Sequence, residues 1–276
     1  MNILESIVFG LFSGLSDVLP VSSQAHKAMI LKIFGVRTED PFIRLFIHIA
    51  ILAALYYSCN SHIMRMIRQL RLSRIPKRKR KRPLDIQTLM EFRLLRTMII
   101  PVVLSLFLHN STAAWEMKLQ LTALFLLLNG VILFLPNLLP TGNKDARSMS
   151  GLEGLLMGLG ASVSVLPGVS SVGGALSVAS VCGADRSFAL GITYLMQMVL
   201  TVGLILFDLA AVFAAGLGGL SITLLVGYLL AAFAAFAGTY LGIRIMRLMA
   251  VNIGFSVFAY YSFGAALLSF VLYLMV

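Results

Sequence analysis

Six apolar stretches, each close to the roughly 20 residues that an α-helix needs to cross a bilayer, constrain this chain more than any other feature. They lie at 42–60, 94–112, 119–139, 187–207, 218–242 and 250–275. With 59% apolar residues and only 11 acids in 276, the chain lacks the polar surface of a soluble globular protein. The expectation is an all-α membrane protein with six transmembrane helices. The first residues show no basic segment followed by an apolar run and a small-residue cleavage site, so they are expected to belong to the fold. Cys59 and Cys182 sit in apolar surroundings without metal-ligand spacing and read as packed thiols.

Charge sets the expected orientation. More than half of the 22 Lys and Arg residues fall between Arg65 and Arg96, and Lys77 to Arg82 is an unbroken basic run. On a soluble protein such a run points to nucleic acid. Between two membrane spans it reads as the positive-inside signal, with anionic lipid headgroups rather than nucleic acid as its partner. Loop 61–93 is therefore expected in the cytoplasm, together with the basic linker 143–147, Arg186, Arg244 and Arg247. The Gly-rich turn 215–219 and the C-terminus are expected on the opposite side.

Two further apolar segments, 1–36 and 151–182, are each broken midway by a proline. The first reads Ser16-Asp17-Val18-Leu19-Pro20-Val21-Ser22-Ser23 and the second Ser164-Val165-Leu166-Pro167-Gly168-Val169-Ser170-Ser171, a short internal repeat with one Gly inserted. Proline removes a backbone donor and turns the residue before it away from helix, and each arm is too short to span alone. Two re-entrant helical hairpins are expected, their tips facing each other in a wet interior, because unpaired backbone is tolerated at membrane depth only there. The first hairpin enters from outside and the second from the cytoplasm. The chain thus divides into two inverted-topology repeats, 1–139 and 151–276, with the ligand site expected between them.

The chemistry is expected at the tips. Asp17 is an acid at membrane depth, where a functional role is the default expectation. A helix starting near Ser22 directs free amides and the positive end of its dipole into the cavity, and the Ser170-Ser171 tip does the same from the other side, which makes an anion site. Ser22, Ser23, Ser170 and Ser171 add hydroxyl donors, although helix capping explains each of them equally well. His26 is the candidate base or nucleophile, and Asp17 either orients it or holds a divalent cation. A phosphate-bearing lipid is the natural ligand.

The stretch from Gly14 to His26 resembles the first signature of the undecaprenyl-pyrophosphate phosphatase (bacitracin-resistance) family, in which a Glu-rich helix leads to Leu-Pro-Ile/Val-Ser-Ser and a His. Pro167-Gly168-Val169-Ser170 resembles its second signature, and His48-Ile49-Ala50-Ile51-Leu52-Ala53 is similar to a further family segment. The resemblance covers nearly the whole chain. It implies a multi-pass protein of the bacterial plasma membrane that dephosphorylates a polyprenyl (C55) diphosphate carrier to the monophosphate, recycling a lipid carrier of cell-wall peptidoglycan with the help of Mg²⁺ or Ca²⁺. The residues implied are His26, Asp17 and Ser22 in catalysis, Asp17 at the metal, and Ser23, Gly168, Ser170, Ser171 and Gly173 at the substrate. A homodimer is compatible with it. The chain departs from the family pattern at Ser13 and Asp17, where the family has two Glu residues. It also has Ser171-Val172 where an Arg is usual, and Tyr261-Ser262 where a Tyr-Arg pair is usual. The residues therefore leave three readings open: a phosphatase with a rebuilt site, a non-hydrolytic polyprenyl-phosphate binder or flippase, and a non-catalytic membrane partner or transporter of an unrelated substrate that docks through the basic 65–96 segment.

Overall fold

The computed structural model describes residues 1–276 except 81, 113–114, 116, 217–220, 253–254, 256 and 276. Lys81 of the basic run and residues 217–219 of the Gly-rich turn lie outside the described residues. Those described are helical throughout, apart from turns, short 3₁₀ segments and one isolated bridge.

The first broken segment forms α1 (Ile3–Val18) and α2 (Ser23–Ile33). Asn2 and Glu5 close a capping box at the start of α1. Pro20 ends the helical run, and Ser22 caps α2 with a backbone φ of 53°, a conformation uncommon for a residue with a side chain. The chain then runs through α3 (Pro41–Ser73), α4 (Ile86–Leu106), the single turn α5 (His109–Thr112) and α6 (Leu119–Phe134), which a 3₁₀ turn at Leu135–Leu138 extends. The second broken segment repeats the design. Its arms are α7 (Gly151–Ser162), opened by a Ser150–Glu153 capping box, and α8 (Ser171–Val181), capped by Ser170. Helices α9 (Arg186–Ala215), α10 (Ile222–Asn252) and α11 (Val257–Met275) complete the fold.

Among the described residues, five helical stretches are long and apolar enough to cross a membrane: α3, Leu119–Leu138, α9, Ile222–Ala250 within α10, and α11. The expected span at 94–112 corresponds to α4, which starts earlier, ends at Leu106 and carries Glu91, Arg93 and Arg96 in its first half. The segment 61–93 is not all loop. No Pro or Gly interrupts the chain after Tyr57, so α3 continues to Ser73 with Arg65, Arg68 and Arg71 on it, and α4 begins at Ile86 behind an Asp85 cap.

Packing relates the two halves. α1 lies along α10 as α7 lies along α4, α3 meets α10 as α9 meets α4, and α3 with α9 and α6 with α11 form the two remaining large contacts. Small residues permit the closest of these approaches. A side chain on Gly10 or Gly14 would collide with the backbone oxygens of Ala231 and Ala235 in α10, and one on Gly158 with the Met98 carbonyl in α4. Phe9, Ile47, Ile51, Met98, Val172, Ala175 and Met196 meet in the core between the halves.

Candidate active site

The two tips are tied together by one buried amide. Asn129, in the middle of α6, donates to Pro20 O (3.2 Å) and to Ser262 Oγ (2.9 Å), and its Oδ1 accepts from Ser170 N (2.9 Å). Ser170 Oγ donates to Leu19 O (3.3 Å) and accepts from Gly173 N (3.1 Å). Ser170 and the Gly173 amide are therefore engaged in capping α8 and joining the tips. Gly168 is buried with φ 140° and packs against Phe125, so it shapes the turn. Tyr194 of α9 donates to Val18 O (3.2 Å), which holds the end of α1.

A polar cavity of about 270 Å³ lies on the side of α2 that faces α3 and α9. Asp17 and Ser23 line it, with Gln24, Lys27, Glu39, Arg44, His48 and Asp208. Asp17 Oδ2 accepts from Gln197 Nε2 (3.0 Å), whose Oε1 accepts from Ser171 Oγ (2.8 Å). Ser171 thus reaches the cavity through Gln197, although it belongs to the other hairpin. Both oxygens of Asp208 are taken by α3: Oδ1 by Arg44 Nε and Oδ2 by His48 Nδ1, each at 2.5 Å. The two donors sit four residues apart, on one face of the helix. Lys27 Nζ lies 3.4 Å from His48 Nε2 and 3.6 Å from Glu39 Oε1.

His26 faces the other way. Its Nδ1 is 2.8 Å from Ser22 O and its Nε2 2.7 Å from Tyr261 OH, with the two rings stacked. It lines an apolar groove of about 510 Å³ with Phe12, Met29, Ile33 and Leu268. Residues 23, 24, 27 and 28 occupy one face of α2 and residues 26, 29, 30 and 33 the opposite one, as helical spacing requires. The structure brings Asp17, Ser23 and, through Gln197, Ser171 together. It leaves His26 and Ser22 at the turn, with no hydrogen bond between His26 and Asp17 among those of the described residues.

Asp208, near the end of an apolar run, is 2% exposed and ion-paired. Arg44, His48, Gln197 and Asn129 are the cavity and tip residues that spacing along the chain does not reveal. Their signal is a polar residue alone in an apolar run, which marks an interior position without naming its partner.

The residues suit a hard cation. Gln24 Oε1 and Glu39 Oε1 are buried without hydrogen-bond partners and line the same cavity as Asp17, so oxygen acceptors are in place. Among the described residues, no three or more His, Cys, Asp or Glu are grouped so that they could hold a metal ion by themselves. A divalent cation held there would take most of its coordination sphere from substrate oxygens and water.

Comparison with known proteins gives one consistent match. The profile of the family described as bacitracin resistance protein BacA covers residues 6–268. A protein named undecaprenyl-diphosphatase from Methanobrevibacter smithii is 27% identical, over 98% of this chain and 97% of the relative. Proteins of the same name from Methanococcus maripaludis and Halothermothrix orenii are each 25% identical, over 95% of this chain and 97% and 94% of theirs.

Proposed function

Since this chain belongs to the bacitracin resistance protein BacA family, a multi-pass membrane family, we propose that it hydrolyses a polyprenyl diphosphate to the monophosphate at the polar cavity that α2 forms with α3 and α9. The observation that carries this reading is the cavity itself: Asp17, Ser23, Lys27 and Arg44 converge there with the buried Gln24 Oε1, and an apolar groove lies on the opposite face of α2.

Lys27 and Arg44 supply the positive charge that the missing family arginines supply elsewhere. Both line the cavity, where their charge would offset that of a diphosphate. Charge stabilisation of this kind usually contributes more than any other effect to phosphoryl transfer. Asp17, with Gln24 and Glu39, would hold a divalent cation, which when bound neutralises phosphate charge. Gln197 fixes the Asp17 carboxylate and links it to Ser171, so the second hairpin orients a residue of the first. His26 pins the strained Ser22 turn to α11 through Tyr261 and is a positioning residue on this reading.

The α1–α2 and α7–α8 pairs act as re-entrant hairpins, and α4 serves as the sixth span. The exchange of contacts between α1–α10 and α7–α4, and between α3–α10 and α9–α4, supports the inverted repeat. The basic end of α3 faces the cytoplasm, against anionic lipid headgroups, by the positive-inside rule. That orientation places Asp40, Glu39 and Asp208, and so the mouth of the cavity, toward the outer face.

The test is phosphate release from C55 polyprenyl diphosphate by purified protein in detergent with Mg²⁺. Release is expected from the wild type and is expected to be lost both in Asp17→Asn and on chelation. Intact lipid in the wild-type reaction would refute the reading.

A further inference from the structure

We propose that His48, oriented by Asp208, is the general base that activates the attacking water; this inference rests on the hydrolase reading above. The protein has four histidines. Among the described side chains, His48 is the one whose ring nitrogen faces the cavity that holds Asp17, Lys27 and Arg44.

Its tautomer is determined twice. Asp208 Oδ2 can only accept, so Nδ1, 2.5 Å away, carries the proton. The Lys27 ammonium can only donate, so Nε2, 3.4 Å away, presents its lone pair. A histidine backed by a buried carboxylate with its free lone pair turned toward a polar cavity is the base-and-orienter pair of hydrolytic sites. Arg44 takes the other oxygen of Asp208, so the carboxylate cannot rotate away. His26 offers the opposite arrangement. Its Nδ1 donates to a carbonyl, the Tyr261 hydroxyl covers Nε2, and the ring lines an apolar groove. His62, paired with Glu91 at 2.7 Å, lies away from the cavity.

When a diphosphate enters, Lys27 turns its donors to the phosphate oxygens and uncovers Nε2. As the water oxygen bonds to the terminal phosphorus, the water proton passes to Nε2. The bond from that phosphorus to the bridging oxygen breaks, and the bridging oxygen keeps the electron pair and leaves on the lipid monophosphate. The imidazolium, stabilised by Asp208, then returns its proton to the product or to solvent.

The experiment is steady-state phosphate release from C55 polyprenyl diphosphate by the full-length protein in detergent. It compares wild type, His48→Gln, His48→Ala with and without added imidazole, Asp208→Asn, and His62→Gln as a control outside the site. The expected result is a kcat loss of about 100- to 10,000-fold in His48→Gln with KM within about threefold, the range of general acid–base catalysis. Imidazole should partly restore His48→Ala, and His62→Gln should match the wild type. Should His48→Ala fail to fold, His48→Gln carries the kcat readout, and Asp208→Asn should lower kcat as well, because an amide there no longer dictates the Nδ1–H tautomer. A His48→Gln enzyme within threefold of an active wild type would overturn the proposal. So would a loss of kcat that imidazole does not rescue and Asp208→Asn does not share. A wild type that releases no phosphate would overturn the hydrolase reading, and the base role with it.

Discussion

Asp208 is the residue on which the charged cavity depends. Its carboxylate is buried and bonded to both Arg44 and His48, and removing one partner of a buried ion pair leaves an uncompensated charge that costs about 3–5 kcal/mol. Asp208→Ala should therefore lower thermal stability markedly as well as activity, whereas Arg44→Lys, which keeps the charge, should be milder; unfolding in detergent separates the two. Lys27 carries a different expectation, since its ammonium is held by His48 and the Glu39 carboxylate. Lys27→Met should raise KM about tenfold or more, because a charge-assisted hydrogen bond is worth about 1.5–3 kcal/mol. Tyr261→Phe removes only the hydroxyl that covers His26 Nε2, and its kcat should stay within about tenfold of the wild type if His26 positions the turn. A loss as deep as that of His48→Gln would restore His26 to a catalytic role.

At the scale of elements, the two hairpins depend on their turns and on close helix contacts. Ser22 has a positive φ that a β-branched residue adopts poorly, so Ser22→Val should destabilise the first tip far more than Ser22→Gly, which loses only the weak cap to Ala25 N. Gly14 touches the Ala235 carbonyl, and Thr239 Oγ1 donates to Gly14 O (3.1 Å), so Gly14→Leu would force α1 from α10. Overpacking of this kind costs about 1–3 kcal/mol or more and should lower the yield of folded protein. The two helix breaks were legible because Pro20 and Pro167 interrupt apolar runs with the same Val-Leu-Pro and Val-Ser-Ser frame. The cavity was legible only in part. Asp17 and Ser23 stand out next to a proline, but Arg44 and His48 meet Asp208 across 160 or more residues, and no spacing rule joins α3 to α9. The periodicity of α2 carried the separation of His26 from Ser23 and Lys27, and it yields that separation only once the helix start at Ser23 is known.

For the whole molecule, the contacts between the two halves of the chain and the Asn129 bridge between the two helix breaks make the site depend on both halves. Asn129→Ala would leave the Ser170 amide unpaired and free Pro20 O and Ser262, at about 1–3 kcal/mol for each buried group left unsatisfied. Stability and kcat should then fall together. The most direct measurement of the central claim is to count both products of one reaction: inorganic phosphate and lipid monophosphate formed from C55 polyprenyl diphosphate by the purified protein with Mg²⁺. The account predicts equal amounts of the two, formed by the wild type and lost in Asp17→Asn. Lipid that binds and is recovered as intact diphosphate would contradict it.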